Sequence, residues 1–199
     1  NSTNPRFANR ISRLKSSPIR DSLQVIDRPS MISFALGLPA LETFPKLQLQ
    51  DMPTSALQYG PTEGDSNLRA LIADDLTKVG LDVAPEQVLV LSGSQQGIDL
   101  AAKLLIDTGT PVLVERPTYL AALQVFQLFG AALRTFEPGR FEDISDTNGP
   151  ANLVYVNPTF QNPTGYCYSE NERTQLAEIC DRDHTVLFED DPYRDLAYE

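Results

Sequence analysis

The sequence has one histidine, two cysteines and 16 basic residues set against 27 acidic ones. A lone histidine, His184, argues against a histidine-based triad or a multi-histidine metal site, and its place reads as a turn ahead of "TVLFED". The cysteines, Cys167 and Cys180, form no C-x-x-C pair. That suits a reduced cytoplasmic protein rather than a disulfide framework. A formal charge of −11 argues against a nucleic-acid surface, which needs clustered Lys and Arg. No stretch is long and apolar enough to span a membrane, and the opening "NSTNPRFANRISRLK" lacks the apolar centre of a secretory signal.

What is present is an ordinary globular composition, 41% apolar and 22% charged over 199 residues. The first 30 residues are polar and punctuated by proline, with a short helical possibility around "PIRDSLQVI". "MISFALGLPALETFP" is then a short apolar run broken by Gly37 and Pro39. "GDSNLRALIADDLTKVG" sets Leu68, Leu71, Ile72, Leu76 and Val79 at helical spacing, giving one apolar face. From there the pattern alternates. "QVLVLSG", "PVLVERP", "ALRTFE", "ANLVYVNP" and "TVLFEDD" read as strands; "SQQGIDLAAKLLID", "TYLAALQVFQLFG" (ending at Gly130) and "SENERTQLAEICDRD" read as helices. Apolar strands alternating with helices predict βαβ crossovers, hence a three-layer α/β/α domain around a mostly parallel sheet.

Ligands of such sheets bind at the carboxyl ends of the strands. "SGSQQG", "ERPTY", "NPTFQNPTG" and "EDDPY" all follow strands, and all are richer in polar side chains than turning alone requires. In "LSGSQQGIDL", Ser94 and Gln95 open a helix, where exposed N–H groups and the positive helix end suit an anion; a plain serine N-cap explains Ser94 equally well. "FEDDPY" ends a strand in Asp190 and Asp191. One carboxylate suffices for a turn before Pro192, whereas one set in a cleft holds a cationic ring nitrogen in its protonated state. Tyr193, three residues on, lies within reach of the same ligand.

Taken together and in this order, "LQYGPTEGDSNLR", "GSQQGIDL", "ERPTY", "QNPTGY" and "FEDDPY" resemble the fold-type-I, aspartate-aminotransferase-like enzymes that use pyridoxal 5'-phosphate. "SSPIRDSL" and "SFALGLPALETFP" bring the resemblance closest to the branch of 2-aminoadipate and kynurenine aminotransferases. The resemblance implies a role for each matching residue. Asp190 pairs with the pyridinium nitrogen. Asn162 and Tyr193 hydrogen-bond the ring's phenolic oxygen, Tyr119 stacks on the ring face, and Ser94 and Gln95 bind the phosphate. Tyr59 reaches the phosphate in a partner subunit's site, which implies a homodimer with shared active sites. Gly37 lies in the segment that closes over the substrate, and Arg20, Tyr59 and Asn162 also face it.

The same resemblance sets two departures. Leu36 stands before Gly37 where relatives often carry a second glycine, which narrows the substrate side. The lysine that should form the Schiff base is not in this chain: Lys15, Lys46, Lys78 and Lys103 sit in none of the right contexts. The expectation is therefore an N-terminal portion, with residues 1–45 a segment associated with the small domain and the active-site entrance and 46–199 the first part of the large cofactor-binding domain. The implied reaction moves an amino group between an L-amino acid (2-aminoadipate, glutamate, aromatic or branched-chain) and a 2-oxo acid. Two alternatives stay open: an aminotransferase-like effector domain of a transcription regulator, and a lyase, decarboxylase or oxidase built on the same cofactor.

Arg20 carries the most specific expectation. In relatives that accept both acidic and bulky apolar substrates, the arginine of this segment meets the distal carboxylate and swings aside for an apolar side chain; a solvated surface arginine is the plain alternative. A bidentate contact of this kind contributes about 1.5–3 kcal/mol, roughly ten- to a hundredfold in kcat/KM. Arg20→Ala is accordingly expected to lower kcat/KM for 2-aminoadipate, glutamate or 2-oxoglutarate and to spare leucine or an aromatic amino acid. Steady-state kinetics on both substrate classes check it, and equal losses on both would reduce Arg20 to a support of its segment.

Overall fold

The computed structural model describes residues 7–14, 32, 37–46, 49–141, 144 and 149–198; Arg20, Leu36 and the expected helix around "PIRDSLQVI" lie outside them. Two compact units divide the chain, one of Asn1–Lys15 with Ser92–Glu199, the other of Ser16–Leu91.

In the second unit the helix predicted from the spacing of Leu68 and its fellows forms as α1, Ser66–Lys78. It starts where it does because the Asp65 carboxylate accepts from the N–H groups of Asn67 and Leu68, both at 3.0 Å. Short 3-10 turns occupy Leu41–Thr43, Thr54–Leu57 and Pro85–Gln87. The strand expected at "QVLVLSG" is a correction. A strand needs a neighbour to share its ladder, and among the described residues Val90 finds only one backbone bond, from its N–H to the Glu63 carbonyl at 2.9 Å.

The first unit holds the alternating elements. They are α2 (Ser94–Leu105), β1 (Pro111–Glu115), α3 (Leu120–Phe129), β2 (Ala132–Phe136), β3 (Leu153–Val156), α4 (Glu170–Arg182) and β4 (Val186–Glu189). All three strand pairings are parallel, in the order β2-β1-β3-β4, with Val112 beside Leu153 and Tyr155 beside Phe188. The apolar runs predicted as strands are buried because helices cover both faces. Val112, Val114, Leu153 and Tyr155 face Ile98 and Ala102 of α2 and Ala122 and Phe126 of α3. Leu113, Phe136, Val154 and Val156 face Leu176 and Cys180 of α4. This is the expected three-layer arrangement.

Local chemistry explains where the helices stop and start. α3 ends at Gly130 in the left-handed region, φ +90°, and a Cβ there would lie 2.8 Å from the Arg13 guanidinium. α4 opens with a reciprocal cap. The Ser169 hydroxyl accepts from the Glu172 N–H, and the Glu172 carboxylate accepts from the Ser169 N–H. His184 takes φ +53° in the turn between α4 and β4, as its reading as a turn residue required. Both cysteines are free; burial and the nearby Asp183 push the Cys180 thiol up to about 11.

One polar group breaks the apolar rule. Glu115, the last residue of β1, is 1% exposed. Its carboxylate accepts from the Tyr168 hydroxyl at 2.8 Å, the Gln161 amide at 3.0 Å and the Asn157 N–H at 3.2 Å. All three donors belong to the loop that follows β3, so the carboxylate holds that loop down on the sheet. Desolvation raises its pKa above the ordinary 4.5, against the three donors, which lower it. With the folded value raised, the contribution is whole below 4.5 and is lost as the pH rises through the folded value. Glu115→Leu, which leaves the buried Tyr168 hydroxyl and Asn157 N–H without an acceptor, is expected to cost about 2–4 kcal/mol. Glu115→Gln, isosteric with the protonated acid, should cost less and flatten the pH dependence; thermal unfolding at acid and neutral pH measures both.

Candidate functional site

The sheet order fixes where a ligand can enter. From β1 the chain crosses to β2 on one side, and from β3 it crosses to β4 on the other, so the loops after these neighbouring strands part company at their carboxyl ends. A crevice at such a switch point is the usual ligand site of open parallel sheets. Here it is a pocket of about 170 Å³. Tyr119 comes from the end of β1, Asn157 and Asn162 from the end of β3, and Asp190, Pro192 and Tyr193 from the end of β4, while Ser94 enters from the first residue of α2.

Asn157 is the residue that gathers these ends. Its own N–H binds Glu115 of β1. Its Oδ1 accepts from the Asn162 N–H at 2.7 Å, and its Nδ2 donates to the carbonyl of Asp190. The corner of "QNPTG" is tightened further by Gln161. Its Oε1 accepts from the N–H and hydroxyl of Thr164 at 2.9 and 2.7 Å, and its Nε2 reaches the Pro117 carbonyl at 2.7 Å. Asn162 thus sits on a backbone fixed from both sides, its amide 3.5 Å from the Tyr193 hydroxyl, the long limit of a hydrogen bond.

The two adjacent carboxylates separate cleanly. Asp190 is 7% exposed on the pocket wall. Its N–H donates to the Val156 carbonyl at 2.9 Å, and its Oδ2 accepts from the Tyr155 hydroxyl at 2.6 Å. Asp191 instead pairs with the Arg194 guanidinium, with Nε at 2.6 Å. Partial burial, then the neighbouring Asp190 and Tyr193, raise the Tyr119 phenol above its ordinary value beside the pocket. At the remaining wall, Gly93 gives α2 no side-chain cap. The Gln96 N–H already donates to the Gly93 carbonyl at 3.1 Å, which leaves the N–H groups of Ser94 and Gln95 and the positive end of a 12-residue helix to an anion.

The structure brings together Ser94, Tyr119, Asn162, Asp190 and Tyr193, five of the residues expected from the motifs. Gln95 follows Ser94 on the exposed side of the same turn and is not on the pocket wall. Tyr59, 99% exposed, and Gly37 belong to the other unit. At Gly37 a Cβ would meet nothing within 4 Å, so its φ of +54° is the local reason for glycine. Two residues escaped the motif reading. Asn157 stood unassigned beside Pro158, although an asparagine directly after an apolar strand is a signal in itself. Tyr155 looked like core, and only its hydroxyl, set in an aliphatic strand, marks it.

The geometry agrees with what similarity to known proteins shows. The family model for aminotransferase class I and II matches residues 30–199. The 2-aminoadipate transaminase of Thermus thermophilus is 38% identical over 96% of this chain and 51% of its own length. The crystal structure of LysN, an α-aminoadipate aminotransferase from Thermus thermophilus, complexed with N-(5'-phosphopyridoxyl)-L-leucine, superposes with a TM-score of 0.79 at 37% identity. That match covers 94% of this chain and 49% of the other. The uncharacterized HTH-type transcriptional regulator YisV of Bacillus subtilis is 30% identical over 95% of this chain and 42% of its own length. The chain spans about half the length of the relatives it matches, and over that half it belongs to the class I and II aminotransferase family.

Proposed function

We propose that the complete protein is a pyridoxal 5'-phosphate-dependent aminotransferase of amino acid metabolism, a cytoplasmic homodimer that moves an amino group between an L-amino acid and a 2-oxo acid. The observation that carries this reading is the buried Asp190 carboxylate on the wall of the switch-point pocket, opposite the uncapped N-terminus of α2. The two ends suit a molecule that is cationic at a ring nitrogen and anionic at a phosphate. Buried and already bonded through one oxygen to Tyr155, Asp190 would pair with the ring nitrogen through the other and favour its protonated state. Ser94 and the free first-turn N–H groups of α2 take the phosphate, with Gln95 contributing its backbone N–H. Asn162 and Tyr193 offer two donors, 3.5 Å apart, to the phenolic oxygen between those ends. Tyr119 lies against the ring face, a contact of about 0.5–1.5 kcal/mol beyond area burial.

When bound, the cofactor supplies an electron sink that stabilises negative charge developing at the amino acid's Cα. Keeping the ring nitrogen protonated is the task assigned to Asp190, and keeping the phenolic oxygen fixed is that of Asn162 and Tyr193. The base that moves the proton is a lysine beyond residue 199. The substrates are acidic and apolar amino acids, a reading supported by the 2-aminoadipate name of one relative and the leucine adduct of another. Residues 1–45, associated with the small domain and the active-site entrance, set that choice through Arg20 and Gly37, and 46–199 begin the cofactor domain. The match to YisV is consistent with the alternative reading, an aminotransferase-like effector domain of a transcription regulator.

Asp190→Ala is expected to lower transamination about a hundredfold or more, with the visible cofactor band weakened. Asp191→Ala, which breaks an ion pair with Arg194, should leave the rate near wild type. Rates the other way round would transfer the ring nitrogen to Asp191.

Tyr59 is assigned to the partner's site. Mixing inactive Tyr59→Ala chains with inactive Asp190→Ala chains should restore activity, because one site of each hybrid dimer keeps both residues. Hybrids purified by dual affinity tags that remain inactive would confine Tyr59 to its own subunit.

A further inference from the structure

Tyr155 lies on β3 with its ring wholly buried, one edge against Phe126 of α3 (centroids 5.6 Å apart) and one face tilted over Phe188 of β4 (5.7 Å). Core packing accounts for the ring. It does not account for the hydroxyl, which donates to Asp190 Oδ2 at 2.6 Å, within the range of a charge-assisted O–H···O⁻ bond. Among the described residues Oδ1 of Asp190 accepts nothing, although Asp190 lines the pocket. The backbone of Asp190 is fixed as well, its N–H by Val156 and its carbonyl by Asn157. The one soft torsion left is that of the carboxylate about its own bond, a broad two-fold rotor. The Tyr155 hydroxyl stops that rotor.

Resting on the cofactor assignment above, we infer that Tyr155 is a positioning residue that acts on the bound ring through Asp190. Its donation does two things. It holds one oxygen back in the core so that the other is presented to the pocket, and it keeps the carboxylate in that one orientation. The phenol keeps its proton and serves as the donor, because burial and the neighbouring Asp190 push its pKa well above the ordinary value. Without the hydroxyl, the Asp190 carboxylate turns, and a cationic ring nitrogen loses the fixed oxygen that would face it.

The test uses the complete protein freed of cofactor, and measures binding of two probes to wild type and to Tyr155→Phe. One probe is pyridoxal 5'-phosphate; the other is its analogue with carbon in place of the ring nitrogen. Tyr155→Phe should bind pyridoxal 5'-phosphate about tenfold more weakly than wild type, the scale of one lost charge-assisted bond. It should bind the carbon analogue as well as wild type does. Phe126→Leu, which loosens the ring's packing and keeps the hydroxyl, should change binding of the two probes in equal proportion. Equal weakening of both probes by Tyr155→Phe, or no weakening of either, would overturn the proposal, as would a Tyr155→Phe chain that does not fold. Wild-type protein that binds neither probe would instead overturn the cofactor assignment on which the proposal stands.

Discussion

The side chain of Asn157 and its own N–H make three hydrogen bonds, to the ends of β1 and β4 and to the corner that carries Asn162. Parallel strands share backbone bonds only along their length, and past the last pair nothing in the ladder keeps their ends together. A buried amide with both its groups satisfied does that here. Because Asn157 is 2% exposed, none of its partners can be exchanged for water without loss. The pocket is therefore framed before any ligand arrives.

The residues around that frame share work across the sheet. Glu115 lies on the α4 side and grips the loop from beneath through Gln161 and Tyr168. Arg173 of α4 adds bonds to the carbonyls of Tyr168 and Pro158 at 3.1 and 3.0 Å. Tyr155 lies on the side of α2 and α3 and reaches Asp190 from behind. One face thus orders the loop and the other orders the carboxylate. Burial makes both possible, since a hydrogen bond to a charge is strongest where water cannot compete for it.

Much of this was legible in the sequence, for physical reasons. Runs such as "LVYV" are buried on both faces and so are apolar throughout. The end of α3 was marked by Gly130. The motifs at strand ends located the pocket because turning alone does not require such polar loops. Other features were not legible. Strand order depends on long-range pairing that local pattern does not encode, so the switch point between β1 and β3 emerged only in three dimensions. Val88–Leu91 had the composition of a strand and no partner strand among the described residues. Tyr155 was hidden because a residue that is both core and polar looks like core in a pattern of apolar spacing.

The register of β4 has an evolutionary consequence. Tyr155 sits beside Phe188, and Asp190 follows two residues later on the same face. An insertion or deletion of one residue between Val186 and Asp190 would turn the carboxylate toward α4. One of two residues would keep the face and carry the group about 6.6 Å past the Tyr155 hydroxyl. Lineages descending from this sequence can therefore vary β4 by substitution and not by length. The turn that precedes it, where His184 already takes a left-handed conformation, is the nearest place at which a change of length can be absorbed with the register intact.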